Sequence, residues 1–336
     1  MTNAVIEAGP VVGPALCLLS AACFGAMAIF GKLAYGAGVS PGALLLLRFA
    51  LAAVLLGVLL ALRPELRSRR PASRPAVGSG RPGRRMVLTA FGLGAIGYAT
   101  QASLYFSALQ RIDASLVALV LYTYPALVTL AAALLGRERL TRARSAAVLV
   151  ASGGTLLVLI GAGGMRFDVL GVAMAFGAAV TYTGYILVAD TVVHGLPPVV
   201  LSAWVMTGAA VTLALRAAAT GGVDLTFGAA GWLWVGCIVV VSTVVAMLAF
   251  FAGMSRTGPS TAAIVSTFEP VVTAALAALT LGEFLTPVQL VGGLLVLSSA
   301  GIVQLRMRDR RAPLSSQDAV LLSAVAVPVG SPVGSP

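Results

Sequence analysis

Apolar residues in this chain arrive in uninterrupted blocks of roughly twenty, the length of helix that crosses a hydrocarbon core of about 30 Å. Ten blocks can be read, at 11–35, 41–62, 86–109, 113–135, 143–161, 169–189, 198–215, 230–254, 259–281 and 287–305. Gly, Pro or charge punctuates every gap, as at Ser40-Pro41 and Leu196-Pro197-Pro198. With 59% hydrophobic and only 10% charged residues, the chain carries too little charge to clothe a soluble domain of 336 residues. The expectation is an all-α integral membrane protein with ten transmembrane helices.

The arginines then orient the bundle. Eight of them crowd the second connection between Arg63 and Arg85, four more stand at Arg137, Arg139, Arg142 and Arg144, and another four open the tail from Arg306. The first connection has no charge at all. Positive-inside logic places the even connections and both termini in the cytoplasm, as a multi-pass protein of the inner membrane. A net charge of +11 would suggest nucleic acid in a soluble protein. Here the basic residues lie in loops and the tail, with no helix face of interleaved aromatics, so nucleic acid is not an expected partner. Met1 to Pro14 lacks a basic n-region, so the first block should remain as a membrane helix. The tail, 306–336, turns to Ser, Pro, Gly and Val from about residue 312, a composition expected to be disordered.

At a constant offset of 145 the chain repeats itself. Tyr105-Phe106 overlays Phe250-Phe251, Arg111 overlays Arg256, Ser115 overlays Ser260, and Pro125 overlays Pro270. Glu138-x-Leu140-Thr141 overlays Glu283-x-Leu285-Thr286. The expected units are therefore 11–161 and 169–305, each of five helices. Five is odd, so the second unit must enter the membrane from the opposite side. Inverted repeats supply two similar gates around one central site, the arrangement that alternating access requires.

Several short segments carry a family likeness: Gly25-x6-Lys32-Leu33-Ala34, Pro41-x6-Arg48-Phe49, Tyr105-Phe106-x-Ala108-Leu109, Tyr124-Pro125, Glu269-Pro270-Val271 and the two Glu-x-Leu-Thr ends. On these the chain resembles the drug/metabolite transporter superfamily, specifically its EamA-type ten-helix members, over about 11–305. The resemblance implies secondary active transport, often efflux, of amino acids, nucleobases or other small metabolites. The Arg-rich loop is longer than the resemblance leads one to expect.

Ionisable groups deep in hydrocarbon cost roughly 2.5–3.5 kcal/mol each, so they normally face a polar interior. Arg48 and Glu269 qualify by depth. Glu269 reads either as an amine ligand or proton-coupling carboxylate, or as a structural partner of Arg48. Arg48 reads as a packing clamp or as a ligand. Lys32 either snorkels to the headgroups or marks the outer mouth of a cavity. Asp190 and His194, at the cytoplasmic end of the sixth block, read as loop groups, with a relay as the alternative.

Pro125 and Pro270 lack an N–H, so the carbonyls of Leu121 and Ser266 should lose their helical partners. Polar residues attend both breaks: Tyr122, Thr123 and Tyr124 at the first, Ser266, Thr267 and Glu269 at the second. Gly94, Tyr98, Gln101 and Tyr105 form one helical stripe, expected to point inward. Tyr182 and Tyr185 are candidates to face it, an interfacial belt being the alternative. Gly92, Gly97, Gly177 and Gly184 are expected to permit close helix packing.

No HExxH, GxSxG or GxxxxGK[ST] is present, and Cys17, Cys23 and Cys237 lie in apolar blocks with no CxxC. No enzyme activity, metal or cofactor is expected. The leading expectation is a carrier for a small-molecule solute in the lipid bilayer, with a proton as candidate coupling ion and a homodimer as candidate assembly. The alternative is a membrane-embedded subunit that docks a cytoplasmic partner through the Arg-rich 63–85 loop. A channel stands third.

Overall fold

The computed structural model describes residues 11–68, 83–136, 142–161, 168–193, 196–257 and 265–309. Every regular element among them is helical. In chain order they are α1 (Val12–Gly36), α2 (Pro41–Leu62), α3 (Arg84–Leu109), α4 (Ala114–Leu134), α5 (Arg142–Gly161), α6 (Val169–Val193), α7 (Pro198–Ala219), α8 (229–257), α9 (Glu269–Leu281) and α10 (Pro287–Asp309), with one further helical turn at Glu65–Ser68. Seven of these, α1 to α4 and α6 to α8, are long and apolar enough to cross a membrane. Shorter apolar stretches lie in α5 (Val148–Val158), in α9 and in α10 (Pro287–Ser298). Glu138, His194, Ser260 and most of the Arg-rich loop lie outside the described residues.

Four helix ends overrun the apolar blocks, while the others fall within about one residue of them. The helices run on to Val193, Ala219, Thr257 and Asp309, beyond the ends expected at 189, 215, 254 and 305. The reason is that hydropathy reports where hydrocarbon ends, whereas backbone hydrogen bonds continue into polar surroundings. Leu149, Leu279 and Leu294 are exposed on the outside of the bundle, as lipid-facing side chains must be.

α4 is broken rather than kinked, and α9 begins at a matching turn. α4 runs Ala114–Leu121, turns through Tyr122 and Thr123, and restarts as Tyr124–Leu134. α9 starts at Glu269, after a turn at Thr267 and Phe268, instead of carrying Glu269 in mid-helix as the block 259–281 suggests. In both cases proline sits in the first turn of the new helix, where its missing N–H has no partner to lose. The residues before each restart match closely: Thr123 has φ −72° and ψ −16°, and Phe268, 145 positions later, has φ −73° and ψ −16°.

A second pair of irregularities also recurs. α3 contains a π turn at Leu93–Tyr98, and α8 contains one at Val240–Val245. In α8 the widened turn is closed by Thr243, whose hydroxyl donates to the Ile238 carbonyl five residues back at 2.9 Å. α2 packs against α7, α3 against α6, α1 against α8 and α9, and α5 against α10. The buried core includes Leu44, Leu45, Phe49, Phe106, Leu109 and Leu116. α3 and α7 approach most closely at Gly94 and Gly208, where a Cβ would run into the carbonyls of Val205 and Phe91. Gly92 and Gly184, expected to serve such contacts, face open space.

Candidate solute site

Arg48 lies seven residues into α2, about 10 Å along it, and is 2% exposed. Its Nε donates to Thr243 Oγ1 at 3.1 Å, and its Nη2 stands 3.5 Å from the Tyr98 hydroxyl. Because the Thr243 proton is directed to Ile238, a lone pair is free to receive Arg48. The rings of Phe49 and Phe106 lie 5.1 and 5.6 Å from the guanidinium carbon, within cation–π range. Among the described residues no carboxylate comes within 4.0 Å of it. The structural pairing of Arg48 with Glu269 that the sequence leaves open is therefore not made.

From Tyr98 a run of aromatic rings leads away from Arg48. Tyr98 and Tyr185 have ring centroids 5.6 Å apart, Tyr185 and Tyr182 5.8 Å, Tyr182 and Tyr124 4.9 Å, and Tyr124 and Tyr122 5.6 Å. Tyr182 and Tyr185 are three apart on α6 and so share a face, stacking at 9°. The run ends at Glu269. There the Tyr122 hydroxyl donates to the Ser266 carbonyl at 2.6 Å and reaches Glu269 Oε2 at 3.1 Å. Ser266 thus contributes its backbone oxygen, and that oxygen is satisfied by the tyrosine of the other break. Tyr105 is buried edge-on to Phe106 at 5.4 Å, within electrostatic reach of both Arg48 and Glu269. Gln101 is buried too, as its stripe requires.

α1 closes this region from one side. A Cβ at Gly25 would stand 2.8 Å from the Glu269 carbonyl, so only glycine allows α1 this close to the start of α9. Thr273 Oγ1 donates to the Gly25 carbonyl at 3.0 Å and holds the contact.

Lys32 does not join Arg48 and Glu269. It lies seven residues, or about 10 Å, further along α1 than Gly25. Its Nζ is 3.0 Å from Glu283 and 4.0 Å from Asp113, and Glu283 also accepts the Ala114 amide at 2.7 Å. Lys32 thus ties α1, the start of α4 and the connection after α9 together. Arg111 pairs with Asp168 at 2.9 Å at the same end of the bundle. That hydrogen bond, helped by the Leu170 amide, holds the Asp168 carboxyl below its ordinary value.

Phe49 and Phe106, both in motifs that carry the family likeness, complete the surroundings of Arg48 together with Thr243, which no motif singled out. A signal for Thr243 was present: it stands 145 residues after Tyr98, the offset of the repeat, and both touch one guanidinium.

The EamA-like transporter family matches residues 11–160 and 169–305 of the chain. The chain belongs to this family. As an EamA-like transporter it is a multi-pass membrane protein with a small-molecule solute and the lipid bilayer as its partners. It is 28% identical over 287 residues to the uncharacterized transporter YcbK of Bacillus subtilis strain 168, covering 83% of this chain and 88% of YcbK. A second transporter of that organism, the uncharacterized YwfM, is 30% identical over 162 residues, 46% of this chain and 54% of YwfM. A crystal structure covering 89% of this chain and 99% of its own superposes with a TM-score of 0.59 at 19% identity, a likeness of fold alone.

Proposed function

We propose that this EamA-like transporter is a secondary active carrier, working in the direction of efflux, for a small metabolite such as an amino acid or related compound. It moves the solute by alternating access around the run of tyrosines between Arg48 and Glu269. In this reading ten helices cross the inner membrane as two inverted five-helix repeats, 11–161 and 169–305, with both termini cytoplasmic. The matched backbone at Thr123 and Phe268 and the π turns of α3 and α8 support it. The observation that carries the proposal is the bond between the two breaks, Tyr122 of one half against Ser266 and Glu269 of the other. A half-buried carboxylate held by the opposite repeat stands at the repeat interface, where such carriers place substrate and coupling-ion sites.

Glu269 is the proposed coupling group, with the proton as coupling ion. The test is counterflow in proteoliposomes, using labelled members of an amino acid, nucleobase and organic-cation panel. Saturable counterflow that a pH gradient drives in the native protein is expected. Glu269→Gln should keep exchange and lose the response to the gradient. Non-saturable flux for every compound would replace the carrier with a channel.

A further inference from the structure

Arg48 is a buried cation with no counter-ion among the described residues, although its surroundings are otherwise closely fitted. An unpaired charge in such a place costs several kcal/mol, and a helix clamp could be made more cheaply from uncharged groups. The protein instead spends two irregular helices on it. Tyr98 is delivered by the π turn of α3 and Thr243 by that of α8, at the same position of each repeat. Such turns are frequent at functional sites. Both residues are neutral, so they orient the guanidinium without cancelling its charge.

A guanidinium has five N–H donors, and two nitrogens are engaged among the described residues, Nε and Nη2. The planar fork that remains matches a carboxylate in two-point contact. One buried cation balances one negative charge. The next cation, Lys32, is already paired with Glu283 and Asp113, which disfavours a doubly charged phosphate.

We infer that Arg48 receives the anionic group of the transported solute, and that the solute is a small metabolite bearing a carboxylate. Its organic body lies on the Tyr98–Tyr185 end of the aromatic run. The inference rests on the carrier reading for its physiological meaning, but binding at Arg48 can be measured without transport.

Detergent-purified protein is titrated with matched pairs, phenylacetate against phenylacetamide and L-phenylalanine against L-phenylalaninamide, by thermal shift. The same compounds are then assayed in proteoliposome counterflow. The acids should stabilise the native protein and bind at least tenfold more tightly than their amides. Arg48→Lys, which keeps the charge and loses the fork, should weaken the acids about tenfold, and Arg48→Gln should abolish the preference. If neither variant folds, the acid–amide comparison on the native protein decides alone. Equal binding of acids and amides, or no stabilisation by either at 10 mM, overturns the inference. Saturable counterflow of amides with no acid preference overturns it while leaving the carrier standing. Acids that bind at Arg48 but never move keep the inference as a binding site and sink the carrier.

Discussion

Glu283→Gln leaves an oxygen for the Ala114 amide but removes the charge that faces Lys32 at 3.0 Å. The magnitude follows from how wet the pair is. Exposed pairs contribute roughly 0.2–1 kcal/mol, whereas removing one member of a buried pair costs about 3–5 kcal/mol. Side-chain exposures of 20% for Lys32 and 10% for Glu283 place this pair between those limits. Asp113, at 4.0 Å, remains as a weaker partner for Lys32 and keeps the loss below the buried value. A coupling of about 2 kcal/mol is therefore expected from a double-mutant cycle of Glu283→Gln with Lys32→Met, measured by unfolding in detergent. On the alternating-access reading proposed above, this contact is one of those that close one end. Its loss should raise the population open at that end up to thirtyfold, since about 2 kcal/mol corresponds to that factor. Ser115→Cys, fully buried one residue past Ala114, reports this as faster modification by a membrane-impermeant maleimide after the native cysteines are replaced. A coupling below about 0.3 kcal/mol together with unchanged maleimide rates would refute the reasoning.

Three further outcomes follow from the same geometry. Tyr122→Phe leaves the Ser266 carbonyl without its hydroxyl donor and should cost about 1–3 kcal/mol of stability in thermal unfolding, with counterflow slowed. Gly208→Val drives a side chain into the Phe91 carbonyl between α7 and α3; it should cost about 3 kcal/mol, read as a lowered unfolding midpoint, where Ala at open Gly184 costs nothing measurable. The Asp168 carboxyl titrates below its ordinary value because of Arg111, so its contribution is complete above about pH 4 and is lost as the pH falls further. Asp168→Asn should therefore lower stability slightly at neutral pH, leave it unchanged at the acid end, and so flatten the acid limb of a stability–pH profile.

How far the sequence reaches depends on the physics behind each signal. Long apolar blocks announced seven helices long enough to cross a membrane because hydrocarbon imposes length, and they missed four helix ends because polar surroundings do not stop a helix. The offset of 145 brought Pro125 and Pro270 into register, and both proved to start new helices. Tyr98, Tyr182 and Tyr185 could be suspected of meeting from spacing alone. Their order, and the place of Tyr124 and Tyr122 in the same run, depended on how α3, α4 and α6 pack. Lys32 was the least legible residue: nothing local distinguishes a snorkelling lysine from one that finds Glu283 some 250 positions away. The π turns were illegible as well, since a widened turn is chosen by packing and by one hydroxyl, not by propensity.

Those two turns bear on how such a chain can change over generations. A π turn accommodates one residue more than the α-helix it interrupts, so all that follows is rotated by about 100°. Deleting a single residue within 240–245 would return α8 to regular winding and carry the Thr243 hydroxyl to another face, with no side chain altered in kind. The same holds for 93–98 and Tyr98. Whether Arg48 is met from both halves is thus governed by a count of residues in two helices. A gain or loss of one codon there should respecify the site more sharply than most substitutions within it.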